Sequence, residues 1–354
     1  MINLPDLKPE IVSGKRILLR VDVDVPFENG QIIDDTRLKE SLETLKYLLD
    51  HNAAVFMTGH LGRPEGKDEK LSLKPIANWF LRELQIAQNE LQITNIEGFD
   101  SFKLSDSLYL LENIRFYKEE EENNSEFAKK LASLADIYVN DAFAVSHREH
   151  ASVVGVVKLL PHFAGFRLIK EIETLGEVLE NPQRPLVVII GGAKIETKLP
   201  LVERMHELAD YLLVGGKIAE ETNILSGVQH EKIKDRNSVL LVADLNEDET
   251  DTTQKSVENF LQFINLAKTI IWNGPIGKIY NSEKDKEGTT AKLAKGIAQS
   301  SAFKVVGGGD TLGLLRELNL LDKFSFVSTG GGAMLEFLSG EKLPGIEALM
   351  EVSK

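Results

Sequence analysis

The feature that most constrains this chain is a strand-turn-helix unit repeated through its second half. Four apolar runs pass directly into glycine-rich turns: LVVIIGGAK from Leu186 to Lys194, LLVGGK from Leu212 to Lys217, VVGGGDT from Val305 to Thr311, and FVSTGGGA from Phe326 to Ala333. Such turns expose backbone N–H groups at the start of the next helix, where the unpaired donors and the helix dipole bind phosphate. A single GG pair is explained by tight turning alone, because glycine is the default wherever φ must be positive. Four in one half of a chain point to phosphate binding. The first half differs, its strands ending in VDVDVP (Val21 to Pro26), TGHLGRP (Thr58 to Pro64), ENIRFY (Glu112 to Tyr117) and AVSHREH (Ala144 to His150). One half cradles phosphate with backbone; the other grips an anion with Asp, His and Arg side chains.

Strands and helices alternate throughout. RILLRVDVDV, AAVFMTGH, SLYLLENIR and DIYVNDAFAV are continuously apolar rather than alternating, as strands of a parallel sheet covered on both faces must be. Further strands are predicted at Leu186 to Ile190, Tyr211 to Val214, Val239 to Ala243, Thr269 to Trp272, Phe303 to Val306 and Phe324 to Val327. One helix is expected over DTRLKESLETLKYLLDH, with Leu38, Leu42, Leu45 and Leu49 on one face. Another follows Ser72 as N-cap, with Pro75 in its first turn. The fold class is α/β: two doubly wound, Rossmann-like parallel-sheet domains joined by a helix, with a cleft between them. Boundaries are expected at 1–161 for the first domain, 162–185 for the interdomain helix and linker, and 186–340 for the second. The residues 341–354 are too few to form a domain. A joining helix of roughly 18 residues would span about 27 Å as a rigid strut.

Composition narrows the function. A formal net charge of −14 disfavours nucleic acid and membrane surfaces as partners, both being polyanions, while a small anion remains possible where basic residues cluster. The absence of cysteine excludes disulfides, thiolate nucleophiles and cysteine zinc sites. The start MINLPDLKPE has no basic region leading into an apolar stretch, and no run reaches membrane-spanning length, so a cytoplasmic location is expected. The acidic stretch DLNEDETDTTQK (Asp244 to Lys255) is read as a solvated connection.

The candidate residues lie beyond the carboxyl ends of strands, where open parallel sheets bind ligands. There is no G-x-x-x-x-G-K-[ST] and no G-x-G-x-x-G with an acidic partner downstream, which excludes a P-loop and leaves a dinucleotide dehydrogenase without its fingerprint. Lys194 and Lys198 are four apart at a helix start, where both mutual repulsion and the macrodipole oppose them unless an anion lies between. Asp310 follows a triple glycine and has two compatible readings, a Mg²⁺ ligand or the N-cap of the next helix. Arg37, Arg63, Arg115 and Arg148 flank strand ends in the first half; converging, they would suit phosphate and carboxylate. His60 adds a donor. His147 and His150 lack a third ligand and are read as structural or solvent-facing. Asp22 and Asp24, two apart on one face of a strand, could orient a hydroxyl or pair with an arginine.

These residues resemble the phosphoglycerate kinase family nearly end to end. VDVDVP is similar to the family's VDFNVP, and DDTR, HLGRP, LLENIRFY, YVNDAF, HREHAS, GGAK with its following lysine, WNGP, GGGDT and STGGGA occur in family order. The resemblance implies two Rossmann-like lobes joined by a helix, with 3-phosphoglycerate or 1,3-bisphosphoglycerate on the first, Mg-ADP or Mg-ATP on the second, and 341–354 returning to the first. It implies substrate contacts at Asp22, Asp24, Arg37, His60, Arg63, Arg115 and Arg148. Nucleotide contacts carry over to Gly191, Gly192, Ala193, Lys198, Gly215, Gly216, Asn273, Pro275, Tyr280, Gly308, Gly309, Asp310 and Thr311. Transfer roles carry over to Arg37, Lys194, Lys198, Gly309 and Gly332, with Asp310 on a Mg²⁺ that arrives with the nucleotide. The expected activity is reversible movement of the acyl phosphate of 1,3-bisphosphoglycerate to ADP in glycolysis, by a monomer whose lobes close about a hinge.

Three departures from the family pattern stand out. Asp24 replaces an Asn, Tyr280 occupies the place of a ribose-binding Glu, and the stretch between Val239 and Trp272 is a few tens of residues short, without a clear LDxGP loop. Phosphate-handling parts are intact and base-handling parts altered. A non-catalytic sensor or scaffold is the alternative this raises; retention of Arg37, Lys194, Lys198 and Asp310 speaks against it.

Overall fold

The continuously apolar runs become the strands of two largely parallel sheets. The computed structural model describes residues 2, 4–28, 30–87, 91–192, 195–219, 238–248, 250–279 and 287–351, with backbone alone for 195–197. The chain divides into two compact units, Met1–Glu173 with Lys342–Lys354, and Thr174–Glu341.

In the first unit the strands are β1 (Arg16–Arg20), β2 (Phe27–Glu28), β3 (Gln31–Ile32), β4 (Ala54–Thr58), β5 (Gln92–Ile96), β6 (Phe99–Lys103), β7 (Leu108–Leu111), β8 (Ile137–Asn140) and β9 (His162–Ala164). The main sheet runs β5-β6-β7-β4-β1-β8-β9, and β2 pairs with β3 as a separate ribbon. Leu19 sits opposite both Met57 and Val139, and all three are fully buried, which is why β1, β4 and β8 carry no polar alternation. Burying each such side chain contributes about 1.5–3 kcal/mol. The antiparallel edge formed by β5 and β6 was not anticipated; Gln92, Ile93 and Asn95 of β5 are exposed, and a solvated edge strand lacks the apolar run used to find the others.

Three local expectations need correction. First, β1 ends at Arg20, so Asp22 and Asp24 lie in the loop beyond it: Val21 N still donates to Thr58 O, but Val25 N turns back onto Val23 O at 2.9 Å. Second, the long leucine-rich helix is two helices, Thr36–Glu40 and Leu42–Asp50, because Ser41 Oγ donates to Leu38 O at 2.7 Å and competes with the helical ladder. Third, Leu73 rather than Ser72 holds the N-cap position of the helix Lys74–Glu83; the Ser72 hydroxyl donates to Glu112 Oε2 while accepting from Lys74 N.

The second unit contains β10 (Leu186–Ile190), β11 (Tyr211–Val214), β12 (Val239–Val242), β13 (Thr269–Asn273), β14 (Phe303–Gly307) and β15 (Phe326–Val327), ordered β12-β11-β10-β13-β14-β15 and parallel throughout. This is the doubly wound order, whose direction of winding reverses between β10 and β13. Val187, Ile189, Leu213, Ile270 and Trp272 form its fully buried centre, with the Trp272 indole N–H donating to Gly274 O at 2.8 Å. The acidic stretch before the helix Gln254–Ile264 is anchored rather than merely solvated. Asp251 and Thr252 are buried, and Asp251 Oδ1 accepts from Thr252 N, Thr289 Oγ1 and Lys278 N. The division between units falls within the helix Phe166–Glu180, and the terminal helix Pro344–Met350 belongs to the first unit, where Gly345 N donates to Ser146 O.

Candidate functional site

In the first unit the loops after β1, β4, β7 and β8 bring the basic residues together. Arg37 Nη1 lies 3.1 Å from Asp22 Oδ1 and 4.0 Å from Asp24 Oδ2. Asp24 Oδ1 accepts from Gly62 N at 2.9 Å, which turns Oδ2 toward His60 Nε2 at 3.7 Å. Gly62 holds φ +66, a conformation glycine adopts without penalty, and its carbonyl accepts from Arg115 Nη1 at 2.9 Å. Arg115 also forms an ion pair with Glu121 at 3.1 Å. Arg63 and Arg148 are exposed and make no side-chain hydrogen bond or ion pair among the described residues.

The electrostatics show how closely these cations converge. Burial first, then Arg20, Arg115 and Arg37, hold His60 well below the ordinary imidazole value. Burial and then Arg115, Arg20 and Arg148 bring His150 down to about 3, and burial with Arg148 brings His147 to about 4. At neutral pH the positive charge is therefore carried by arginine alone. Burial raises the Asp22 carboxyl above its usual range against the opposing pull of Arg37, and Asp22 Oδ2 is buried with no hydrogen bond among the described residues. No group of three or more His, Asp or Glu side chains placed to hold a metal ion occurs among the described residues.

In the second unit the strand ends meet backbone on backbone at the reversal between β10 and β13. A Cβ at Gly191 would overlap the Pro275 carbonyl, and one at Gly274, which has φ +91, would overlap Gly191 O and Lys198 Nζ. Gly216 approaches Gly192, and Gly331 approaches Gly308, so the turns after β10, β11, β13, β14 and β15 form one glycine floor. Lys198 is buried, donating to the carbonyls of Gly191 and Asn273 and to Asn273 Oδ1 at 3.2 Å. Gly308, at φ +99, is the N-cap of the helix Gly309–Glu317, so Asp310 falls inside the first turn and is not the cap. Its carboxylate is exposed and makes no hydrogen bond or ion pair among the described residues; Thr311 Oγ1 beside it is buried without a hydrogen bond. Exposed carboxylate and glycine amides at a helix start suit a phosphate-bound Mg²⁺. Gly332 lies in the first turn of the helix Gly331–Ser339.

The structure thus gathers Asp22, Asp24, Arg37, His60 and Arg115 in one unit, with Arg148 near the histidines, and Gly191, Gly192, Lys198, Gly215, Gly216, Asn273, Pro275 and Gly308 in the other. Ala193, Lys194 and Tyr280 lie outside the described residues. Arg20 was missed. It is only 1% exposed and bonds to His60, Val21 and Ser152. A signal existed, since an arginine closing an otherwise apolar strand cannot be buried without partners.

Comparison with known proteins identifies a family. The family model described as phosphoglycerate kinase matches residues 6–247 and 228–341. A phosphoglycerate kinase of Dictyoglomus turgidum is 40% identical over an alignment of 400 residues, covering 98% of each chain, and one of Leptospira biflexa is 38% identical over 99% of each. An alignment longer than the 354 residues of this chain means that the Dictyoglomus relative carries segments absent here. Among solved structures, phosphoglycerate kinase from Coxiella burnetii superposes with a TM-score of 0.81 at 36% identity, covering 97% of this chain and 98% of that one. The Pyrococcus horikoshii enzyme gives 0.78 at 29% identity, with 96% of each chain covered. Matched by the family model over most of its length, and by curated and solved relatives at up to 40% identity over nearly all of it, the chain belongs to the phosphoglycerate kinase family.

Proposed function

We propose that the first unit binds the phosphoglycerate and the second the magnesium nucleotide, with the residues named above dividing the work. The activity is that of a glycolytic phosphotransferase: the acyl phosphate of 1,3-bisphosphoglycerate passes to ADP, giving 3-phosphoglycerate and ATP, reversibly. Such transfer depends on positioning and charge neutralisation more than on covalent participation by the protein.

In this reading Arg63, Arg115 and Arg148 hold the 3-phosphate, and the unspent Asp22 Oδ2 accepts a substrate hydroxyl. Arg37, kept charged by Asp22, faces the transferring group. On the nucleotide side the amides at Gly308, Gly309 and Gly332 take phosphate oxygens, and Lys198 leaves its carbonyl partners for the same charge. Lys194 is assigned a parallel role. Mg²⁺ enters as part of the nucleotide substrate; Asp310 would hold it, and the ion supplies neutralisation of phosphate charge. Ligands carried by separate units have to be brought together, with water kept from the acyl phosphate.

The observation that supports this division most directly is the contrast at the strand ends: side-chain cations beyond β3, β4, β7 and β8, backbone glycine beyond β10, β13 and β14. A coupled assay for ATP formation from 1,3-bisphosphoglycerate and ADP tests the activity. Titration of each substrate separately tests the division, which fails if 3-phosphoglycerate binding survives neutralisation of the first-unit arginines.

A further inference from the structure

The imidazole of His60 is 4% exposed, and its Nδ1 lies 3.2 Å from Arg20 Nη2. A guanidinium can only donate and does not lose its proton in proteins, so Nδ1 must offer a lone pair. The ring proton is then on Nε2. Both other states are opposed: an Nδ1–H tautomer would set donor against donor, and an imidazolium would add a second cation at the same short distance.

Arg20 is itself immobilised. Its Nε donates to Ser152 Oγ at 3.0 Å and its Nη1 to Val21 O at 2.6 Å. Ser152 in turn donates through Oγ and N to the two oxygens of buried Glu120, at 2.5 and 2.8 Å. With every guanidinium nitrogen engaged and almost no exposure, Arg20 reaches a ligand only through His60. His60 Nε2 makes no hydrogen bond among the described residues, and Asp24 Oδ2 at 3.7 Å is beyond hydrogen-bond length. Nε2 is not among the buried side-chain atoms left without a partner, so this edge of the ring opens to the surface, where a ligand oxygen can accept from it.

We propose that Arg20 is a positioning residue that fixes His60 as the Nε2–H tautomer, so that the ring presents one uncharged donor to an anionic oxygen of bound phosphoglycerate. The proposal rests on the reading of the first unit as the phosphoglycerate site. It also accounts for the carboxylate of Asp24 where the family pattern has an amide. Gly62 N pins Asp24 Oδ1, so Oδ2 faces His60; opposite a bare Nε2 lone pair this acceptor would be repelled, whereas opposite Nε2–H it is tolerated.

The test is a long-range ¹H–¹⁵N spectrum of the histidine rings in the full chain, with the His60 signals assigned through His60→Gln. An unprotonated Nδ1 and a protonated Nε2, unchanged across the range in which an ordinary imidazole titrates, is the expected result. Arg20→Met should give mixed tautomers and an ordinary titration, and raise KM for 3-phosphoglycerate about tenfold, the worth of one hydrogen bond to a charged group, leaving KM for nucleotide unchanged. Arg20→Lys, also donor-only, should keep the Nε2–H form. A wild-type spectrum showing Nδ1–H or imidazolium overturns the proposal without any variant, so misfolding of Arg20→Met cannot shield it. An unaltered tautomer in folded Arg20→Met also overturns it. Loss of the tautomer with phosphoglycerate binding intact would overturn it as well, because the Nε2 donor would then not serve the ligand; survival of 3-phosphoglycerate binding after neutralisation of Arg63, Arg115 and Arg148 would instead remove the first-unit reading.

Discussion

The Lys198 ammonium lies 3.2 Å from the side-chain oxygen of Asn273 and also donates to Gly191 O, tying the helix Ile195–Leu208 to the ends of β10 and β13. A buried cation resting on carbonyl oxygens is stored where an incoming phosphate would compete for it. Lys198→Ala is expected to lower kcat about 10²-fold or more, the usual cost of one donor to developing charge. Steady-state kinetics with circular dichroism as a folding control checks this; near wild-type turnover in a folded variant would remove Lys198 from the mechanism.

Arg37 and Asp22 should separate stability from activity. Arg37→Ala leaves Asp22 buried without its cation and is expected to cost about 1–3 kcal/mol in urea unfolding, besides lowering turnover about 10²-fold. Adding Asp22→Asn to Arg37→Ala should restore much of the stability and none of the turnover. Recovery of turnover in the double variant would contradict a direct role for Arg37.

The arginines proposed to hold the 3-phosphate differ in what else they do. Arg63 and Arg148 make no side-chain bond among the described residues, whereas Arg115 bridges Gly62 O and Glu121. Alanine at any of the three should weaken 3-phosphoglycerate binding in titration calorimetry and spare Mg-ADP. Only Arg115→Ala should also lower thermal stability. Equal loss of both ligands in any variant would count against the assignment to the first unit.

A buried carboxyl gives the chain a pH signature. Burial raises Asp141 from 3.8 to about 7, against the bonds it accepts from Arg167 N and Leu168 N at the start of the helix Phe166–Glu180. Because the folded-state value lies above the unfolded one, the native chain keeps a proton that the unfolded chain releases. Stability from this group therefore falls as pH rises through that window and levels off above it. Across it, the wild type is expected to lose about 4 kcal/mol relative to Asp141→Asn, which keeps the accepting oxygen and loses the charge. Parallel stability curves for the two proteins would show that Asp141 is ionised throughout.

The sequence expectation of a shortened stretch between Val239 and Trp272, together with Tyr280 in place of a family Glu, leads to a prediction about bases. On the proposed reading the glycine floor binds phosphates common to all nucleoside diphosphates, while discrimination needs polar groups fixed against the base. Relaxed preference between ADP and GDP is expected, read as the ratio of kcat/KM. Strong discrimination for ADP would mean that other residues have rebuilt the pocket.

How much could be read from the sequence depended on what each residue had to do. Buried parallel strands such as Leu186–Ile190 announce themselves, because both faces must be apolar, and the glycine turns do so because only glycine fits between Gly191 O and Lys198 at position 274. The exposed edge strand Gln92–Ile96 carries no such constraint and was missed. Asp310 was legible as a ligand candidate, yet its position inside the helix rather than at the cap depends on the φ of Gly308, which composition does not reveal. Arg20 escaped notice since its side-chain partners, His60 and Ser152, are 40 and 132 residues away in sequence and meet it only through the fold.

A surface assembled from main-chain amides has no side chains to edit. Neighbouring residues can drift without altering what the floor recognises, and losing it requires gaining an atom: one methyl at Gly191 or Gly274 strikes a carbonyl of the opposite strand end. On the proposed reading, a nucleotide site built in this way can shed material around the base while its phosphate recognition persists. The arginine side has the opposite vulnerability, since each contact there is a separate side chain that a single substitution can delete.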